Sequence, residues 1–159
     1  EYVALSYVWG DKRPTRTDPS SYPQTIEDAI TVSAAMGFHY FWVDQYCINQ
    51  DNEAHKSTQM LMIGRVYSQA SLCIVAAAGT DSSHVVPGVG KTARTPQLTF
   101  QLGDLDFFQR YSSGHTVARS KWRSRGWTFQ EGCLSRRRLI FTDQEVLFLC
   151  RDMYCQESL

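Results

Sequence analysis

The sequence predicts an α/β domain, a small parallel sheet with flanking helices and a C-terminal antiparallel hairpin. Three observations carry this. Short runs of β formers alternate with segments of helical period through the first half. Leu72 to Ala78 is a continuous apolar run with the length and flanks of a buried parallel strand. Near the C-terminus, Arg138 to Phe141 and Val146 to Cys150 read as two strands joined by a tight turn near Asp143-Gln144.

In order along the chain, Tyr2 to Val8 is rich in β formers and is closed by Gly10 and a polar loop with Pro14 and Pro19. A first strand should end near Tyr7. After Pro23-Gln24-Thr25, the residues Ile26, Ala29, Ile30, Ser33 and Met36 fall on one helical face, which Gly37 can close. Thr25 is the expected N-cap, with Asp28 placed as in a near capping box. Tyr40 to Val43 is a second short strand with Asp44 at its C-terminal end. A longer helix starts at Asp51-Asn52. Its core stripe is Met60, Ile63, Tyr67 and Ala70, with Val66 beside them. The strand at Leu72 completes β-α-β-α-β, and right-handed crossovers should place helices on both faces of the sheet. Gly79 to Pro96 reads as a long exposed loop. A strand somewhere in Gln97 to Phe108 has no clear bounds. Trp122 to Cys133 is expected to be a short helix, with Ser124 its cap.

A chain of 159 residues suits one domain, and its start directly in a strand pattern reads as a domain cut from a longer protein. It is 43% hydrophobic and 20% charged, enough to bury a core and stay in solution. Sixteen basic and sixteen acidic residues balance, so charge gives little case for nucleic acid. The basic cluster Arg136-Arg137-Arg138 reads as a solvated strand or turn. The five cysteines are odd in number and none is spaced Cys-x-x-Cys. They imply a reducing compartment, hence the cytoplasm, without a disulfide framework. Cys73 and Cys150, inside apolar runs, read as buried. No apolar run approaches the roughly 18 residues of a membrane span.

Gly88-Val89-Gly90-Lys91-Thr92 resembles the end of a phosphate-binding loop, but the required earlier glycine is Val85 and Arg94-Thr95-Pro96 does not continue as a helix. His39, His55, His84 and His115 are scattered, and none pairs with cysteine at zinc spacing, so no metal is expected. Cys47 reads as a packed thiol in preference to a nucleophile.

What remains is polar and aromatic. In a parallel sheet the loops after the strands share one edge. That edge should gather Ser6, Tyr7, Trp9 and Gly10 with Asp44, Cys47 and Gln50. Trp9 and Tyr7 offer faces for stacking, and Gly10 lets backbone approach a ligand. Asp44 supplies either a ligand contact or a hydrogen bond to the following turn. Trp42 reads as core. Trp127 and Glu131 lie one turn apart on the same helical face, where a carboxylate beside an indole is partly desolvated and its pKa raised. The competing reading is that Trp127 packs the helix and Glu131 pairs with Arg125, Arg136 or Arg137. The residues by themselves favour that pairing.

The blocks Leu5-Ser6-Tyr7-Val8-Trp9-Gly10, Trp42-Val43-Asp44 with Cys47-Ile48 and Gln50, Met62 with Val66-Tyr67 and Ala70, and Arg125-x-Trp127-Thr128-x-Gln130-Glu131 with Leu134-Ser135 and Arg137 stand in a characteristic order. Together with Thr25-Ile26 and Asp28-Ala29, they resemble the HET (heterokaryon incompatibility) domain of filamentous fungi. The resemblance runs from Tyr2 to about Cys150 and is thin between Gly79 and Arg119. One departure is Tyr46, where many relatives carry a smaller residue. The expectation is a single HET domain over residues 1–159.

That family is associated with fungal non-self recognition and programmed cell death, and has been viewed as distantly TIR-like. The resemblance therefore implies a sheet of flavodoxin/TIR-like type. Several TIR domains cleave NAD at the nicotinamide–ribose bond with a glutamate in a Trp-x-x-x-Glu context, which Trp127 to Glu131 resembles. By that analogy Glu131 is catalytic, and NAD is a substrate with no separate cofactor. Trp9, Tyr7 or Trp127 would stack a ring, and Asp44 would orient ribose hydroxyls. Arg125 would meet the pyrophosphate. Ser6, Gly10 and Gln50 complete the expected substrate site. A homo-oligomer on activation is implied as well. The alternative is a non-enzymatic, self-associating module that recruits a partner, for which the same blocks would be interface and core.

Overall fold

The buried run Leu72–Ala76 lies inside a six-stranded sheet. The computed structural model describes residues 1–11, 22–110 and 112–157, so the loop expected around Pro14 and Pro19 lies outside the described residues. The elements are β1 (Val3–Ser6), α1 (Gln24–Ala35), β2 (Phe41–Trp42), α2 (Asp44–Cys47), α3 (Glu53–Gln69), β3 (Leu72–Ala76), β4 (Thr99–Leu102), β5 (Leu105–Phe108), α4 (Ser113–Arg119), α5 (Thr128–Leu134), β6 (Arg137–Phe141), β7 (Val146–Cys150) and β8 (Tyr154–Gln156). The main sheet runs β2-β1-β3-β6-β7-β8. Its first four strands are parallel, and β7 and β8 are added antiparallel. This is the mostly parallel α/β architecture with a C-terminal antiparallel set that the pattern predicts, in the flavodoxin order.

Strand alternation divides the core. Val3, Leu5, Tyr7, Leu72 and Ile74 face one side, where Ile26 and Ala29 of α1 cover them. Ala4, Cys73 and Val75 face the other, covered by Ile63 and Tyr67 of α3. Helices therefore pack on both faces, and the α3 stripe meets the sheet as its spacing requires. Asn52 caps α3, its side chain accepting from the His55 N–H at 2.9 Å. Gly37, at φ +81, closes α1: its N–H reaches Ala34 O at 2.9 Å and Phe38 N–H reaches Ser33 O at 3.1 Å.

Several expectations are corrected. Pro23, not Thr25, is the N-cap of α1. Thr25 donates to His84 O at 2.6 Å, and Asp28 accepts from the Val86 N–H at 2.7 Å. The apparent capping residues instead bind the segment after Gly79 to the helix. For the same reason that segment is not simply an exposed loop, since Val86 and Val89 enter the core. Met36 is half exposed, lying beyond the last helical turn.

Cys47 is exposed, while Cys73 is buried and Cys150 is intermediate. Residues 99–108 form two strands, paired Thr99 to Phe108 through Leu102 to Leu105. The helix expected from Trp122 begins only at Thr128. Before it, Ser120 Oγ donates to Val117 O at 2.7 Å and Ser124 Oγ donates to Lys121 O at 2.8 Å. Such side-chain bonds to nearby carbonyls favour turns over helix. Among the described residues no helix is long and apolar enough to cross a membrane.

Candidate functional site

The segments leaving β1 and β2 converge with α3 and α5 on a cleft of about 640 Å³, within the usual range for small-molecule sites. It lies beyond the C-terminal ends of β1 and β2, beside the point where the chain switches from β2 on one side of β1 to β3 on the other. Trp9 and Gly10 enter from β1, Asp44, Gln45 and Gln50 from β2, and Arg125, Trp127 and Glu131 from the C-terminal third.

Glu131 holds three of these segments together. It is only 3% exposed, yet it forms part of the cleft wall. Its Oε2 accepts from the Ser6 hydroxyl, and Ser6 Oγ in turn accepts from Trp122 Nε1 at 2.6 Å. Its Oε1 meets Arg125 Nη2 at 3.3 Å, while Arg125 Nη1 donates to the Tyr7 carbonyl. A buried carboxylate is tolerable when its lone pairs are used in this way.

Asp44 opens α2 at the end of β2. Trp9 Nε1 lies 3.0 and 3.1 Å from its two carboxylate oxygens, and the Gln45 N–H donates to Oδ1 at 2.8 Å. Asp44 therefore accepts from its own turn, and its carboxylate also lines the cleft. Burial pushes its carboxyl up to about 7, and the nearby Glu131 charge adds to the rise. The Gln45 N–H, the Trp9 indole and Arg125 oppose it. Two carboxylates thus face one cleft in environments that differ.

The other expected residues divide. Trp9 and Trp127 line the cleft, and Trp127 is 50% exposed, so indole faces are available there. Tyr7 is not available: at 2% exposure it is core, its hydroxyl donating to Gln45 Oε1, so it has no face to stack a ligand. Ser6, at 1% exposure, acts only through Glu131. Gln50 lines the cleft and braces α2, its Nε2 donating to Asp44 O and Ile48 O at 3.3 Å. Gly10 has φ +78, and a Cβ there would stand 2.5 Å from Asp81 Cβ. Glycine is thus demanded by the segment packed behind it.

Arg125 is already bonded to Tyr7 and Glu131, and the other cations at the cleft are Lys121 and Lys56, the latter paired with Glu53 at 3.6 Å. Trp127 and Glu131 share the cleft wall, but the groups touching the carboxylate are Ser6 and Arg125. The buried indole behind them is Trp122, to which sequence reasoning gives a helix but no role. Gln45 also escapes sequence reasoning: next to Asp44 it looks like an ordinary polar turn residue. The exposed Cys47 Sγ accepts from the Val43 N–H at 3.5 Å. Among the described residues no group of three His, Cys, Asp or Glu side chains is placed to hold a metal ion.

The family model described as "Heterokaryon incompatibility protein (HET)" matches residues 2–131. The chain is similar to Heterokaryon incompatibility protein 6, OR allele, of Neurospora crassa, with 30% identity over 126 residues. That match covers 65% of this chain and 18% of the relative, so the chain spans only a small part of that longer protein. No solved structure matches the chain. With the family match running through most of its length, from the first strand to Glu131 in the cleft, the chain belongs to the heterokaryon incompatibility (HET) family.

Proposed function

We propose that this chain is a fungal non-self recognition and cell-death effector domain whose cleft hydrolyses the nicotinamide–ribose bond of NAD. The family supports the biological role, and a TIR-like likeness motivates the chemistry. The observation that carries the enzymatic reading is that Asp44 and Glu131, from opposite ends of the sequence, face one cleft beside two accessible indoles. A recruitment surface has little need of such convergence.

In this reading the nicotinamide ring stacks on Trp9 or Trp127. Glu131 faces the anomeric carbon and stabilises the oxocarbenium-like transition state. The C–N bond breaks with its electron pair passing to the pyridinium nitrogen, so neutral nicotinamide leaves without an acid. Water adds its oxygen to the anomeric carbon and releases one proton, giving ADP-ribose. Asp44 orients ribose hydroxyls. Arg125 holds Glu131 in place, and the diphosphate falls to Lys56 and Lys121. The test is chromatographic detection of nicotinamide from NAD with concentrated protein under crowding, since assembly is expected to complete the site. Release by the parent and none by Glu131→Gln supports the reading. Equal release by both overturns the assignment of Glu131.

One observation favours the second reading, a self-associating module. The β4–β5 hairpin leaves Leu98, Phe100, Leu102 and Leu105 more than 60% exposed, with Phe100 stacked on Phe107 at 4.7 Å. A parent that self-associates through this hairpin yet never releases nicotinamide would favour recruitment over catalysis.

A further inference from the structure

The two carboxylates of the cleft differ in what they can do with a proton. Both oxygens of Glu131 are held, Oε2 by the Ser6 hydroxyl and Oε1 by Arg125 Nη2 at 3.3 Å. A proton arriving on either oxygen has to displace one of these donors. Glu131 is placed to meet a cation and poorly placed to receive a proton.

Asp44 is arranged differently. Its Oδ1 accepts from the Gln45 N–H at 2.8 Å and from Trp9 Nε1 at 3.0 Å. Among the described residues its Oδ2 accepts only from that same indole N–H, shared at 3.1 Å. A proton on Oδ2 therefore leaves both donors on Oδ1 and breaks no bond of the turn. Among the described residues no ion pair holds Asp44. Burial above all, with the Glu131 charge adding to it, pushes its carboxyl up to about 7, where a group both takes and gives protons near neutral pH. Glu131 and Arg125 are the charges that act on it, and Asp11, Asp51, Lys56 and Lys121 line the same cleft. The nearby Tyr7 and Tyr67 phenols stay protonated, because burial pushes both well above their ordinary range.

We propose that Asp44 is a catalytic base whose Oδ2 takes the proton of the attacking water in the hydrolysis of NAD. This rests on the NAD reading and gives the carboxylate that orients the ribose a second task. The C–N bond breaks with its electron pair on the nicotinamide nitrogen. A lone pair of water then forms the new bond to the anomeric carbon. One water O–H bond breaks in that step, its electron pair staying on oxygen and its proton passing to Oδ2. Solvent takes the proton from Asp44 before the next turnover. A pyridine that enters in place of water bonds through an unprotonated nitrogen and has no proton to lose. Such base exchange has no use for Asp44 as a base.

The experiment supplies crowded protein with NAD and excess acetylpyridine, and separates ADP-ribose from the exchanged dinucleotide by chromatography. In the parent, the ratio of ADP-ribose to exchanged dinucleotide should rise about tenfold between about pH 6 and 8, following the charge on a group that titrates near 7. Asp44→Asn keeps an oxygen for Trp9 and the Gln45 N–H. Its ratio should be at least about tenfold lower at the highest pH and flat across the range. An unchanged ratio, or equal loss of both products, would overturn the role as base while cleavage by the parent upholds the NAD reading. Where acetylpyridine gives no exchange product, the pH profile of ADP-ribose formation decides: the rise seen in the parent should vanish in Asp44→Asn, and a rise that survives there overturns the proposal. A parent that forms neither product would overturn the NAD reading, and this proposal with it.

Discussion

Replacing Asp44 by asparagine should stabilise the fold increasingly as pH rises above about 4, with the full effect above about 7. The carboxyl titrates near 7 in the folded chain, against an ordinary 3.8, chiefly because it is buried. Between those values the folded state holds a proton that the unfolded chain has released. Stability is therefore lost as pH rises through that window, and the loss is complete above the folded value. At about 1.4 kcal/mol per pH unit the cost of charging is on the order of 4 kcal/mol; partial solvent access at the cleft reduces it to about 2–4 kcal/mol. The asparagine amide would keep an oxygen to accept from Trp9 Nε1 and from the Gln45 N–H, the two bonds that hold the carboxylate now. Urea unfolding of parent and Asp44→Asn at about pH 4, 6 and 8 measures the difference directly. It should be near zero at the lowest pH and reach about 2–4 kcal/mol in favour of asparagine at the highest. A difference that does not vary with pH, or a variant less stable at the highest pH, would mean that the buried Asp44 carboxylate does not destabilise the fold. The same variant should cleave NAD more slowly, the usual trade between a stable site and a working one.

Glu131 should show the opposite balance. Glu131→Ala strands Arg125 and leaves Ser6 without its acceptor, so thermal unfolding should show a loss of about 3–5 kcal/mol. Glu131→Gln, which keeps an oxygen for one partner, should lose less, which makes it the better variant for activity measurements. Gly10→Ala forces a left-handed backbone on alanine and drives its Cβ into Asp81, so dinucleotide binding should weaken at least tenfold, measured by calorimetry. Unchanged binding there would mean that the Trp9–Gly10 turn does not shape the site.

The strands that build the sheet were legible because burial on two faces leaves continuous apolar runs, as at Leu72 to Ala76. The α3 stripe was legible because Ile63, Tyr67 and Ala70 follow the helical period onto one sheet face. The place of Asp44 in the cleft was legible because the segments after parallel strands share one edge of the sheet. The remainder depended on distant partners that spacing does not encode. Thr25 and Asp28 have the look of a cap, but their hydrogen bonds go to His84 and Val86. Tyr7 and Trp9 appear equivalent in sequence, yet Tyr7 packs into the core while Trp9 stays at the cleft. Arg125 reads as a free phosphate donor until Glu131 and the Tyr7 carbonyl are seen beside it. Trp122 gained its role only when Ser6, 116 positions away, came within hydrogen-bond reach. Residues 99–108 were hard to assign because their apolar side chains remain exposed, so no burial pattern marks the strands.

Time-resolved proton NMR of NAD with crowded protein shows whether the cleft joining Asp44 and Glu131 cleaves NAD as proposed. Nicotinamide and ADP-ribose should appear in equimolar amounts with the parent, and neither should appear with Glu131→Gln of matched folded content. Intact NAD throughout with a folded, assembled parent, or equal cleavage by the Glu131→Gln variant, would contradict that proposal.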